Sequence, residues 1–112
     1  MASLLPGELL WRRVMPSQRN ADDSAQSCAF STQELCVHRA ALTTLVDVLA
    51  GFPDAHVYEF TVQEALTAGA SDVTDDRLPA EPVDHAMVLG TTRGKVAKRL
   101  RNAARRIHPP TP

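Results

Sequence analysis

The charges of this 112-residue chain are divided along its length. Residues 1–92 contain 13 acidic and 5 basic residues, whereas residues 93–112 contain 7 basic residues and no acid. The first segment therefore has a net charge of −8 and the second a net charge of +7, although the whole chain is nearly neutral. This division indicates either an acidic body that docks its own basic segment, or a basic segment that serves an anionic partner.

The basic segment is also amphipathic, which predicts a helix from about Thr92 to Ile107. At 100° per residue its apolar side chains share one arc, and its cations occupy the other. The prolines of the tail 109–112 prevent the helix from continuing. The cations are the candidate anion-binding residues: Arg93, Lys95, Lys98, Arg99, Arg101, Arg105 and Arg106.

The rest of the chain predicts a single small α+β domain over residues 1–108, followed by the Pro-rich tail 109–112. We expect a sheet of four or five short strands, with two or three helices packed on one of its faces. Alternating or apolar runs rich in β-branched and aromatic residues mark the strands. These runs are residues 8–15, 27–30, 34–38, 56–60 and 85–89.

Two further helices are predicted before the basic segment. Residues 39–50 place Leu42, Leu45, Val46 and Leu49 at helical spacing, and Gly51 with Pro53 stops that helix. A shorter helix starts at Thr61, because Glu64 lies three residues later as in a capping box, and it ends near Gly69.

The segment Ser71–Asp84 contains five acids and two prolines, and it predicts an exposed acidic loop. The core is expected to come from the large apolar side chains of the predicted elements. Its main members are Trp11, Phe30, Leu42, Leu45, Leu49, Val57, Phe60, Val88, Leu100 and Ile107.

The two cysteines, Cys28 and Cys36, are expected to be reduced thiols, because no secretory leader or membrane span is readable and a cytoplasmic location follows. Cys36 lies two residues before His38, but neighbours at that spacing on a strand point in parallel and rarely meet. The chain has no C-x-x-C and no H-x-x-x-H spacing. We therefore expect neither a metal site nor a cofactor.

The stretch Val88–Lys95 runs from a strand through a glycine-bearing loop into a helix start. Such a layout can offer backbone N–H groups to a phosphate. It is not a Walker A loop, because the glycine spacing is one residue short and Val96 replaces the metal-binding hydroxyl residue. The alternative is a plain turn with Thr91 or Thr92 as the helix cap.

Several short motifs together resemble a pattern found in short uncharacterised bacterial proteins, and the resemblance covers most of the chain. It implies a bacterial origin and no particular activity. The motifs are Trp11–Arg13, Ala29–Ser31, Leu35–Arg39, Glu59–Thr61 and Asp84–Val88.

A fainter resemblance is to ADP-ribosyltransferases, in which a first-strand Arg, a Ser/Thr-rich strand start and a later Glu serve a nicotinamide dinucleotide. Arg12 or Arg13 matches the first of these, and Phe30–Thr32, which includes Ser31, matches the second. Glu59 or Glu64 matches the third. The resemblance implies a small enzyme with a cleft that joins these positions.

The preferred hypothesis is a non-catalytic binding or accessory module that presents its basic helix to an anionic partner, either a nucleic acid or an acidic protein. The ADP-ribosyltransferase-like enzyme is one alternative. An assembly or toxin-partner protein is another, and it would expose an apolar patch that includes Val96 and Ile107.

Overall fold

An open antiparallel sheet of six strands forms the body of the protein in the computed structural model, which describes residues 3–32, 34–75 and 83–110. The strands are β1 (Leu9–Val14), β2 (Glu34–Arg39), β3 (His56–Thr61), β4 (Asp72–Asp75), β5 (His85–Leu89) and β6 (Arg105–His108). The helices are α1 (Leu45–Leu49), α2 (Val62–Ala68) and α3 (Gly94–Ala103). The strand order is β4-β5-β2-β1-β3-β6. The predicted α+β class is confirmed, with six strands in place of four or five.

One face of the sheet, which we call the core face, carries the main hydrophobic core. The alternation of each strand sends every second side chain to this face. Helices α2 and α3 cover it, because Ala65 and Leu100 belong to the same buried cluster as the strand residues. The strand residues buried here include Leu10, Leu35, Val37, Phe60 and Val88.

A 3-10 turn at Ser27–Phe30, which we call the Phe30 turn, fills the space between the sheet and α3. The Phe30 ring is fully buried and lies edge-on to Tyr58 and Phe60, at centroid distances of 6.1 and 6.3 Å. Edge-to-face pairs of this kind add about 0.5–1.5 kcal/mol to the free energy gained from burial. This segment was predicted to be a β-strand, and that prediction is wrong because its apolar residues pack down onto the sheet and pair with no strand.

Helix α2 begins and ends as the sequence predicts. Thr61 accepts a hydrogen bond from the Glu64 amide at 3.0 Å, and the Glu64 carboxylate accepts one from the Thr61 amide at 2.8 Å, which completes the capping box. Gly69 ends the helix with a φ of 115°. A Cβ at Gly69 would lie 3.0 Å from Val96, so the missing side chain also lets α3 approach closely.

The second face of the sheet is covered in part by α1. Arg13 lies on this face and donates to the Val48 carbonyl at 2.9 Å, while its guanidinium lies 4.0 Å from the centre of the Phe52 ring. Val48 and Val57 are both fully buried, although they lie outside the main core cluster. The second face therefore has buried apolar residues of its own.

The helix predicted over residues 39–50 is mostly absent. Its first part continues β2 and then forms a 3-10 turn, and only Leu45–Leu49 is α-helical. Thr44 stays extended and caps the helix by accepting from the Asp47 amide at 3.2 Å. Such local side-chain bonds compete with the helix interior. As a result Val48 is buried, while Val46 is 79% exposed.

The two strands that the sequence did not predict are β4 and β6. Strand β4 lies inside the predicted acidic loop. Its Val73 is buried and pairs with Val88 of β5. Residues 76–82 of the predicted loop lie outside the described residues. The predicted basic helix stops at Ala103, because residues 105–108 pair with β3. Long-range pairing therefore overrides the local helical pattern.

Half of the predicted core is confirmed. Phe30, Val57, Phe60, Val88 and Leu100 are fully buried. Leu42 is exposed because the predicted helix around it does not form, and the other four are half-buried: Trp11, Leu45, Leu49 and Ile107. No helix in the described ranges is long and apolar enough to cross a membrane.

A pair of alanine substitutions tests the observed burial of α1. Val48→Ala should lower the free energy of unfolding by about 2 kcal/mol, because it removes two buried methyl groups and leaves a cavity. Val46→Ala, two residues away, should change it by less than about 0.5 kcal/mol. Urea unfolding followed by circular dichroism measures both values. A larger loss at Val46 would instead favour the helix face predicted from sequence.

Candidate functional site

The exposed side of α3 carries a continuous row of cations. Val96, Ala97 and Leu100 turn inward and are buried, which leaves the opposite arc to solvent. We call this exposed row the basic stripe. It consists of Arg93, which immediately precedes the helix, and of Lys95, Lys98 and Arg99, all of which are exposed.

The basic stripe has no internal neutralising partner in the part of the chain that the structure describes. None of the described acidic residues forms an ion pair with any of its four side chains. Lys95 and Arg99 are four residues apart on the helix, so their like charges repel by a few tenths of a kcal/mol. The stripe is therefore a surface where anion binding would relieve repulsion.

The start of α3 adds to this repulsion. Arg93 is the cap residue and provides no side-chain hydrogen bond, and the first turn contains no acidic residue. Cations near the positive end of a helix dipole are unfavourable by about 0.3–1 kcal/mol each. Thr91 does not cap the helix as the sequence suggested, because its hydroxyl is buried and donates to the Thr32 carbonyl at 2.9 Å.

Three of the predicted anion-binding residues lie away from the stripe. Arg101 is half-buried and donates to the neighbouring Asn102 side chain at 2.9 Å. Arg105 lies on β6 and forms ion pairs with Glu59 at 3.3 Å and Glu64 at 3.4 Å. Part of the basic segment is thus paired internally, with acids from β3 and α2, whereas residues 76–82 of the predicted acidic loop lie outside the described residues.

Arg106, the seventh predicted residue, lies on β6 opposite Tyr58, and its buried Nε atom has no hydrogen-bond partner. Its charge acts on His56, whose Nδ1 atom is also buried and unpartnered. Burial lowers the pKa of His56, and the charges of Arg19 and Arg106 lower it further. Arg106 is therefore partly buried near His56 and does not belong to the basic stripe.

An open groove of about 380 Å³ runs along one side of the stripe, between α2 and α3. Arg99 borders it from α3, and Glu64 borders it from α2. Its remaining lining residues are Gln63, Thr67, Ala68 and Ala103.

The residues of the ADP-ribosyltransferase resemblance lie on both sides of the sheet. Arg12 lies on the core face and donates to the carbonyls of Ala29 and Cys36, both at 3.0 Å. Glu59 and Arg13 lie on the second face, where Glu59 accepts from the Trp11 indole at 2.9 Å. Burial lowers the pKa of both arginines. Both guanidinium groups are therefore engaged in structural contacts.

Ser31, the hydroxyl residue of the same resemblance, follows the Phe30 turn directly. That turn packs against the core face, whereas Glu59 faces the other way. The core face therefore carries Arg12 and the turn that precedes Ser31, whereas Glu59 lies on the second face.

A cluster that the sequence did not predict lies on the second face, where β2 and β5 pair. His38 and His85 are directly opposite each other, with ring centroids 5.1 Å apart. The His38 Nδ1 donates to the Asp84 carboxylate at 2.6 Å. Burial lowers the pKa of His38, and this carboxylate partly opposes the effect. The sequence shows the adjacent pair Asp84–His85, but only the strand register brings His38 to it.

Comparisons with protein-family models, curated proteins and solved structures find no match to this chain.

The lowered pKa of His56 predicts how stability depends on pH. In the unfolded chain its pKa is about 6.5, so below that pH the unfolded form takes up a proton that the folded form resists. The free energy of unfolding should therefore decrease as pH falls from 7.5 to 5.5. His56→Gln should reduce this decrease, and His38 should account for part of the remainder.

Urea unfolding at the two pH values measures both effects. A wild-type protein that becomes more stable on acidification would contradict the predicted direction. An unchanged pH dependence in His56→Gln would contradict the role of this residue.

Proposed function

We propose that this protein is a non-catalytic binding module whose basic stripe contacts the phosphate backbone of a nucleic-acid duplex. The observation that carries the proposal is the set of four exposed cations on and beside α3 without ion-pair partners among the described residues. Lysine and arginine side chains of this kind provide most of the sequence-independent affinity for nucleic acids.

The composition of the stripe favours a duplex over a single strand. Single-strand platforms combine cations with aromatic rings on which bases stack. The helix α3 contains no aromatic residue, and the aromatic rings of Phe30, Tyr58 and Phe60 are buried on the core face. Contacts to backbone phosphates need no such rings.

The exposed apolar patch expected for an assembly protein is not formed by the residues that the sequence suggested. Val96 is buried against Gly69, and Ile107 is half-buried on β6. An acidic protein partner would bind the same surface. The experiment below therefore compares a nucleic-acid duplex with an acidic polypeptide.

Fluorescence anisotropy with a labelled 20-base-pair DNA duplex tests the proposal. With four phosphate contacts, the slope of log affinity against log salt should be about −3.6, so raising salt from 50 to 200 mM should weaken binding about 100-fold. Replacing Lys95, Lys98 and Arg99 together by Ala should reduce the slope by about one for each residue. Polyglutamate of similar charge should compete weakly.

A charge-matched pair of variants provides the control. Arg99→Ala and Arg105→Ala each remove one exposed cation, but Arg105 is already paired with Glu59 and Glu64. Arg99→Ala should therefore weaken binding several-fold more than Arg105→Ala. Equal effects would indicate nonspecific attraction to total charge. Absence of duplex binding at 50 mM salt, or tighter binding of polyglutamate, would refute the nucleic-acid function.

A further inference from the structure

We propose that His38, Asp84 and His85 form a binding site for a divalent transition-metal ion of the zinc class. Each of the three residues offers one ligand atom, and these three atoms lie within 4.8 Å of one another. The proposal is independent of the basic stripe, which lies on the helix layer at the other face of the sheet.

The donor set fits such an ion. Two imidazoles and one carboxylate are ligands that Zn²⁺ and its neighbours in the first transition series accept readily. Zinc–ligand distances of about 2.0–2.2 Å place two tetrahedral ligands about 3.3 Å apart. The three ligand atoms, which lie within 4.8 Å of one another, would have to move toward that separation when an ion binds.

The backbone holds the three residues in place before any ion arrives. His38 and His85 are paired across neighbouring strands, which fixes the separation of their Cα atoms. Asp84 is held because its carbonyl accepts from the Arg39 amide at 2.6 Å. Little conformational entropy is then lost on binding, since only side-chain torsions remain to be ordered.

The position of the cluster is also suitable. The side chains of His38 and Asp84 are 13% and 16% exposed, so solvent can deliver an ion although the ligands are mostly desolvated. Three protein ligands leave at least one coordination position for water, as in open zinc sites. The guanidinium of Arg13 acts electrostatically on both residues, and its charge moderates the affinity expected for a cation here.

Isothermal titration of Zn²⁺ into the chelator-treated full-length protein tests the site. We expect binding of one ion per chain. His38→Gln and His85→Gln should each weaken it by more than about tenfold, since removing even outer-shell partners of a metal site costs about 10–100-fold. Circular dichroism confirms that each variant is folded.

Matched controls separate this cluster from other potential ligands. His108→Gln removes a histidine of β6, and a double Cys28→Ser, Cys36→Ser variant removes both exposed thiols. Neither should change the affinity by more than about twofold. Loss of binding in the double cysteine variant, or unchanged binding in His38→Gln or His85→Gln, would overturn the proposal, as would no binding by the wild-type protein.

Two further measurements apply if the histidine variants do not fold. Asp84→Asn keeps the shape of the side chain and should still weaken Zn²⁺ binding by more than about tenfold. Co²⁺ bound to the wild-type protein should show visible d–d absorption without thiolate charge-transfer bands. Thiolate bands, or full affinity in Asp84→Asn, would contradict the assignment.

Discussion

The packing of Phe30 between the sheet and α3 is the contact on which the rest of the structure depends. Its ring meets Tyr58 and Phe60 edge-on, and the turn that carries it supports the buried side of α3. Arg12 strengthens the same turn by donating to the Ala29 carbonyl. This contact fixes which side of α3 is buried, and therefore which side faces solvent.

The exposed side of α3 is electrostatically unfavourable when only the described residues are considered. Its cations repel one another, and the first of them lie at the positive end of the helix dipole. The core offsets this cost, because burial of Leu100 alone contributes about 1.5–3 kcal/mol. An unfavourable charge pattern on a well-packed helix is what the proposed contact with an anionic partner would require.

The elements that could be predicted from the sequence are those specified by neighbouring residues. The strands around Leu35 and Phe60 follow from alternation, and the start of α2 follows from the Thr61–Glu64 spacing. Elements whose conformation depends on pairing with a strand far away in the sequence could not be predicted. Residues 105–108 look helical beside α3 but complete the sheet, because β3 would otherwise be an edge and Glu59 attracts Arg105.

The two surfaces for which we propose binding roles differ in the same way. The cations of the basic stripe could be predicted from helical periodicity, although the end of the helix could not. The cluster of His38, Asp84 and His85 could not be predicted, since it exists only when β2 and β5 pair in the observed register. Neither the spacing of 46 residues between His38 and Asp84 nor their composition indicates the contact.

The stability of Lys95→Glu at low ionic strength provides the sharpest test that the cations of the basic stripe repel one another and have no ion-pair partner among the described residues. A carboxylate at this position would meet the helix dipole favourably and would pair with Arg99 one turn later. The free energy of unfolding should therefore increase by about 0.5–1 kcal/mol. A decrease would instead show that Lys95 already has a stabilising partner and that the stripe is not self-repelling.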